Sequence, residues 1–73
     1  MDKAKFKKGD QVRFVCFGKE IRGKVGIVDD MGTFFQTEEP SYDIWVNNEN
    51  GGRCLYKHVR QRDVRKDENS AEE

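Results

Sequence analysis

Between Gly9 and Val28 the chain reads GDQVRFVCFGKEIRGKVGIV, and this stretch constrains the fold more than any other. A Gly-Asp turn launches a run in which Val12, Phe14 and Cys16 alternate with polar neighbours. Strict alternation puts those three side chains on one face of a strand. A loop of Lys, Glu and Arg bounded by Gly18 and Gly23 follows, and a second strand leaves through Lys24-Val25. Two short strands joined this way form the opening hairpin of a small β-barrel.

The rest of the chain fits the same period. The first strand spans about Gln11 to Phe17 and the second about Lys24 to Asp29, with Val25 and Ile27 sharing a face. A loop from Asp30 to Ser41 carries turn signals at Met31-Gly32 and Glu38-Glu39-Pro40-Ser41. A third strand, Tyr42 to Val46, turns Tyr42, Ile44 and Val46 inward and Asp43 and Trp45 outward. The run from Asn47 to Gly52 is rich in residues that tolerate positive φ, which marks a hairpin loop. Arg53 to Lys57 is a fourth strand, His58 to Gln61 a tight helical turn, and Asp63 to Arg65 a short closing strand. The expectation is an all-β, five-stranded barrel with a short helical turn before the last strand, over residues 1–66. Residues 67–73 are acidic and polar without apolar periodicity and form the expected disordered tail.

Size bounds what such a barrel can do. A chain of 73 residues makes one domain, and one this small buries only ~60% of the surface its unfolded chain exposes. The 34% hydrophobic and 38% charged fractions lean toward disorder. The aromatic and branched residues nevertheless fall in alternating runs, and that favours a folded domain. With no signal peptide, lipidation motif or long apolar stretch, the expected location is cytoplasmic. Cys16 and Cys54 sit in apolar runs and read as reduced core residues. They would pair only if their strands were adjacent. Cys16, Cys54 and His58 lack the C-x-x-C or H-x-x-x-H spacing of a zinc site, so no metal or other cofactor is expected.

The formal net charge is zero, yet the charges are segregated. Residues 3 to 24 hold Lys3, Lys5, Lys7, Lys8, Arg13, Lys19, Arg22 and Lys24. From Val25 to Gly52 there is no base, while Asp29, Asp30, Glu38, Glu39, Asp43 and Glu49 supply acid. Arg53, Lys57, Arg60, Arg62, Arg65 and Lys66 then restore positive charge before the acidic tail.

Five short strands with a helical turn before the last resemble an SH3-like barrel. Within it, Gly9, Asp10, Val12, Gly18, Gly23, Val25 and Val28 resemble the KOW motif of ribosomal and transcription-elongation proteins, over about twenty residues. That likeness implies a hairpin that presents its loop to RNA or to a protein. The loop here is compressed, and Glu20 places an acid in it. The run from Thr33 to Ile44, with Leu55 to Val59, looks like short uncharacterised proteins of Gram-positive bacteria and their mobile elements, a likeness that carries no activity.

In an SH3-like barrel the first strand pairs with the last, which implies that the two basic ends of the chain meet. Arg13, Arg22 and Lys24 would then join Arg60, Arg62 and Arg65 in a phosphate-binding patch. Phe17, at the mouth of the loop, would stack on an unpaired base. The nucleic-acid site residues are thus Arg13, Phe17, Arg22, Lys24, Arg60 and Arg62. The same charges would also suit the solvated faces of an ordinary small barrel. A second reading is a protein-interaction module, in which Phe34, Phe35, Tyr42 and Trp45 form an aromatic groove rimmed by acids for a basic or Pro-rich peptide or a methylated lysine. Phe34 or Phe35 would equally serve to plug the core, and the alanine-leucine-tyrosine-aspartate motif of signalling SH3 domains is missing. A third reading is an inhibitor whose acidic face mimics nucleic acid, disfavoured by the neutral total. Catalysis finds little support. His58 stands alone beside Lys57 and Arg60, the adjacent acid pairs point to opposite faces of a strand, and neither a phosphate-cradling nor a nucleophile-elbow motif occurs.

Overall fold

The computed structural model describes residues 3–33, 36 and 39–67. It is all-β: β1 (Gln11–Cys16), β2 (Lys19–Asp29), β3 (Ser41–Asn47), β4 (Arg53–Arg60) and β5 (Val64–Lys66), with a 3₁₀ turn (Gln61–Asp63) before β5. The strands form one antiparallel sheet in the order β4-β3-β2-β1-β5. Among the described residues β4 and β5 are its two edges, so the ladder is not closed into a barrel. Among the described residues no helix is long and apolar enough to cross a membrane.

The inward face follows the alternation of the sequence. Val12, Phe14, Val25, Tyr42, Ile44, Val46 and Val64 are buried and pack together, with Ile21, Val28, Tyr56 and Val59 partly buried against them. Phe14 meets Tyr56 edge-to-face, with centroids 5.3 Å apart. Residues 3–10, where the sequence shows no strand period, form a strap whose Ala4 and Phe6 join this core.

Three element boundaries differ from the sequence expectation. The Lys-Glu-Arg segment after Gly18 is strand rather than loop: Cys16 pairs with Lys19, so Phe17-Gly18 is the whole connection. The β4 strand continues through His58 to Arg60 because His58 is an extra residue in the ladder, with φ 60°. The Asp43 carboxylate accepts the His58 backbone N–H at 3.0 Å and stabilises that bulge. The helical turn therefore falls later, on Gln61–Asp63. Finally, Asp67, which the sequence assigns to the tail, is buried, and its backbone N–H donates to the Gln11 carbonyl at 3.3 Å. Cys16 and Cys54 are free; Cys16 packs against the core as expected, whereas Cys54, expected in the core, is exposed on β4. With β2 and β3 between their strands, the adjacency that a disulfide needs is missing.

One buried polar network ties strap, sheet and 3₁₀ turn together. The Tyr42 hydroxyl donates to Gln61 Oε1. The Lys5 backbone N–H also donates to that oxygen, at 2.9 Å, and Gln61 Nε2 donates to the Lys3 carbonyl at 2.9 Å. Since each partner loses its water on folding, removing Gln61 orphans several groups at once. Gln61→Leu should destabilise the fold by about 2–3 kcal/mol, read as a lower denaturant midpoint with an unchanged slope. Burial pushes the Tyr42 pKa above its ordinary value, and the Asp10 charge adds to this; hydrogen bonds from the Phe6 and Lys5 amides act the other way. Below the pKa of an unfolded tyrosine, near 10, both states keep the proton and nothing is lost. Above it the unfolded chain ionises first, so stability should fall with rising pH. Thermal melts of Tyr42→Phe from pH 8 to 11 should lack that component, and identical pH slopes for the two proteins would refute it.

Candidate nucleic-acid interface

The register of the central strand decides what its outward face presents. Val12 and Phe14 point into the core, so Arg13 points out. Arg13 is directly opposite Arg22 on β2 and directly opposite Arg65 on β5. Three arginines thus lie in one row across three strands. Like charges set directly opposite each other destabilise a sheet. Two carboxylates temper the row: Glu20 Oε2 lies 2.9 Å from Arg13 Nη1, and Asp67 Oδ1 lies 3.9 Å from Arg22 Nε.

One row further along, Gln11, Lys24 and Trp45 are aligned across β1, β2 and β3. The inward neighbours Val25 and Ile44 are buried, so Lys24 and Trp45 face the same side as the arginine row. The indole packs against Gly26, the bulge residue of β2. A Cβ at that position would sit 2.7 Å from both Cδ1 and Nε1 of the ring, which is why no side chain fits there. From β4, Arg53 places its guanidinium 4.6 Å from the centre of the Trp45 ring. Arg22, Lys24, Trp45, Arg53 and Asp67 line one groove. Among the described residues this face carries Arg13, Arg22, Lys24, Arg53 and Arg65 against Glu20 and Asp67, with Asp63 at its margin beside Arg65 and Asp43, two residues from Trp45 on β3, engaged by the His58 amide.

At the tip of the first hairpin, Phe17 is fully exposed and does not cap the core. Its φ is 51° and that of Gly18 is 78°. Positive φ at both residues is the signature of a type I′ turn, whose twist matches the strands it joins. Gly18 adopts it freely, whereas a bulky aromatic in the left-handed region is an outlier.

The site residues expected from sequence thus divide. Arg13, Arg22 and Lys24 share one face, with Phe17 at the end of the hairpin that carries them. Arg60 pairs with Ser41, four residues along β3 from Trp45, or about 13 Å at the usual strand rise. Arg62 sits on the 3₁₀ turn, where its backbone N–H donates to Glu39 Oε2 at 3.0 Å and its side chain approaches the same carboxylate. It borders a different groove, with Lys3 and Lys5. Of the aromatic set, Trp45 belongs to the basic face. Tyr42 is fully buried on the opposite side of the sheet and cannot line a groove with it, because adjacent register positions alternate. Phe34 and Phe35 lie outside the described residues. Arg65, expected in the basic patch, lies on this face opposite Arg13, and Arg53, which was not expected there, completes it. Arg65 was legible from the predicted pairing of first and last strands, but Arg53 required the register across the Asn47–Gly52 connection. Among the described residues no group of His, Cys, Asp or Glu converges as a metal site would.

The chain matches no protein-family model, no curated protein and no solved structure.

The Phe17 backbone provides a direct test of strain held at the hairpin tip. Replacing Phe17 by Asn, a residue that favours this turn, should stabilise the protein by about 1 kcal/mol. In a domain this size that corresponds to a rise in Tm of about 4–8 °C. An unchanged or lower Tm would mean that the turn carries no such cost.

Proposed function

We propose that this protein is a non-enzymatic binding module that holds nucleic acid on the outward face of β1, β2 and β5. The observation that carries the proposal is the cross-strand row Arg22–Arg13–Arg65, extended by Lys24 and Arg53. Three arginines directly opposite one another in the ladder are a like-charge arrangement that Glu20 and Asp67 only partly offset. A polyanion bridging the row repays that repulsion, because each neutralised phosphate releases condensed counterions. The fold is consistent with an SH3-like barrel: a meander of four strands, a 3₁₀ turn and a last strand returning to the first. The Gly9–Val28 hairpin remains KOW-like in its residues, but its loop is reduced to Phe17-Gly18, so contacts come from the strand face and the tip.

Trp45 favours this reading over a protein-binding groove, since its groove sets the three bases Arg22, Lys24 and Arg53 against the one acid Asp67. The test is fluorescence anisotropy with labelled RNA and DNA, single- and double-stranded, at two salt concentrations. Affinity should drop steeply with salt. Arg22→Gln and Lys24→Gln should each weaken binding and make the log–log salt slope shallower by about one. Circular dichroism would check that both variants stay folded. No binding at low salt, or binding indifferent to both substitutions, would end the proposal.

A further inference from the structure

We propose that the groove beside Trp45 is a pocket for one unpaired nucleobase, which makes single-stranded nucleic acid the ligand of the basic face. This rests on the nucleic-acid reading above. The groove measures about 430 Å³, within the range of pockets that hold small ligands. Its chemistry is that of a nucleotide rather than of a bare phosphate. Trp45 supplies a π surface, held in place by its contact with the Gly26 backbone and by the Arg53 guanidinium at 4.6 Å. The Arg53 guanidinium lies over the indole, so a base joins on the outer side of the guanidinium or takes its place against the ring. Arg22 and Lys24 provide cations for the flanking phosphates. Gln11, Asn47 and Asp67, also on the wall of the groove, offer both donors and acceptors to the edge of a base.

A duplex meets this face differently. Its phosphates can lie along the arginine row, but its bases are stacked and paired, and none enters a groove between side chains without being extruded. An acidic peptide would engage the cations and leave the ring without a planar partner. The ring is therefore the feature that selects the ligand.

Trp45 is the single tryptophan of the chain, so intrinsic fluorescence reports on this pocket alone. The full chain is titrated at low salt with a thymidine 12-mer, with a 12-base-pair duplex and with a poly-glutamate peptide. The single strand should quench Trp45 and bind at least tenfold more tightly than the duplex. Trp45→Leu should lower single-strand affinity about tenfold or more while leaving duplex affinity unchanged, and Trp45→Phe should recover most of it. Should Trp45→Leu fail to fold, Arg53→Gln keeps the ring and removes half of the stack, and its single-strand affinity should fall relative to the duplex. Equal affinities without quenching, or quenching by poly-glutamate equal to that by the 12-mer, would overturn the pocket. If duplex binding then still depended on Arg22 and Lys24, the pocket alone would fail. If no nucleic acid bound at all, the broader reading would fall with it.

Discussion

The antiparallel pairing of β5 with β1 is the interaction on which the rest of this molecule depends. It is short, joining Val12, Arg13 and Phe14 to Lys66, Arg65 and Val64. Such a strand has little stability of its own. It is held by burial of Val64 and by the preceding 3₁₀ turn, whose Gln61 is bonded to the strap and to Tyr42. Through that pairing β1 becomes a central strand, Arg65 comes beside Arg13, and Asp67 reaches Arg22. Without it, the basic residues of the two chain ends would have no common surface.

Two features of the outward face run against stability. The arginine row crosses three strands in direct register, and Phe17 occupies a backbone conformation suited to Asn or Gly. In a domain with so small a core, each such cost is a real fraction of the total. Arg13, Arg22 and Phe17 lie on the same hairpin, with Arg65 beside it on β5, and both features present chemistry outward: positive charge along the strands and an exposed ring at the tip. Strain of this kind gathers where a surface is shaped for a ligand rather than for folding. Trp45 extends the pattern, because β2 gives up a side chain at Gly26 to seat it.

The strands were largely legible because a half-buried sheet writes its period into the sequence. Val12, Phe14, Val25, Ile44 and Val46 were placed on the inward face by alternation, and there they lie. The misplaced boundaries have local physical causes. Lys19 to Gly23 reads as a polar loop because its alternation is charged on one face and weakly apolar on the other, with only Ile21 to signal a strand. The β4 strand outruns its expected end because a bulge at His58, stabilised by the Asp43 side chain, lets the ladder continue. The strap of residues 3–10 carries only Ala4 and Phe6 as apolar residues, too few to show a period.

The sequence by itself determined the all-β class, most inward residues and the segregation of charge along the chain, since these follow from local alternation and composition. Ile27, expected on the face of Val25, is turned outward by the bulge at Gly26. Only the tertiary structure decided which charges meet. Register across strands fixes side-chain neighbours, and register is set by turn length and bulges: the two-residue turn at Phe17-Gly18 aligns Arg13 with Arg22, and the bulge at Gly26 seats Trp45. A shift of one residue in either would send those side chains to the core or to other partners. For that reason Arg53 joined the face while Arg60 and Arg62, equally basic in sequence, did not.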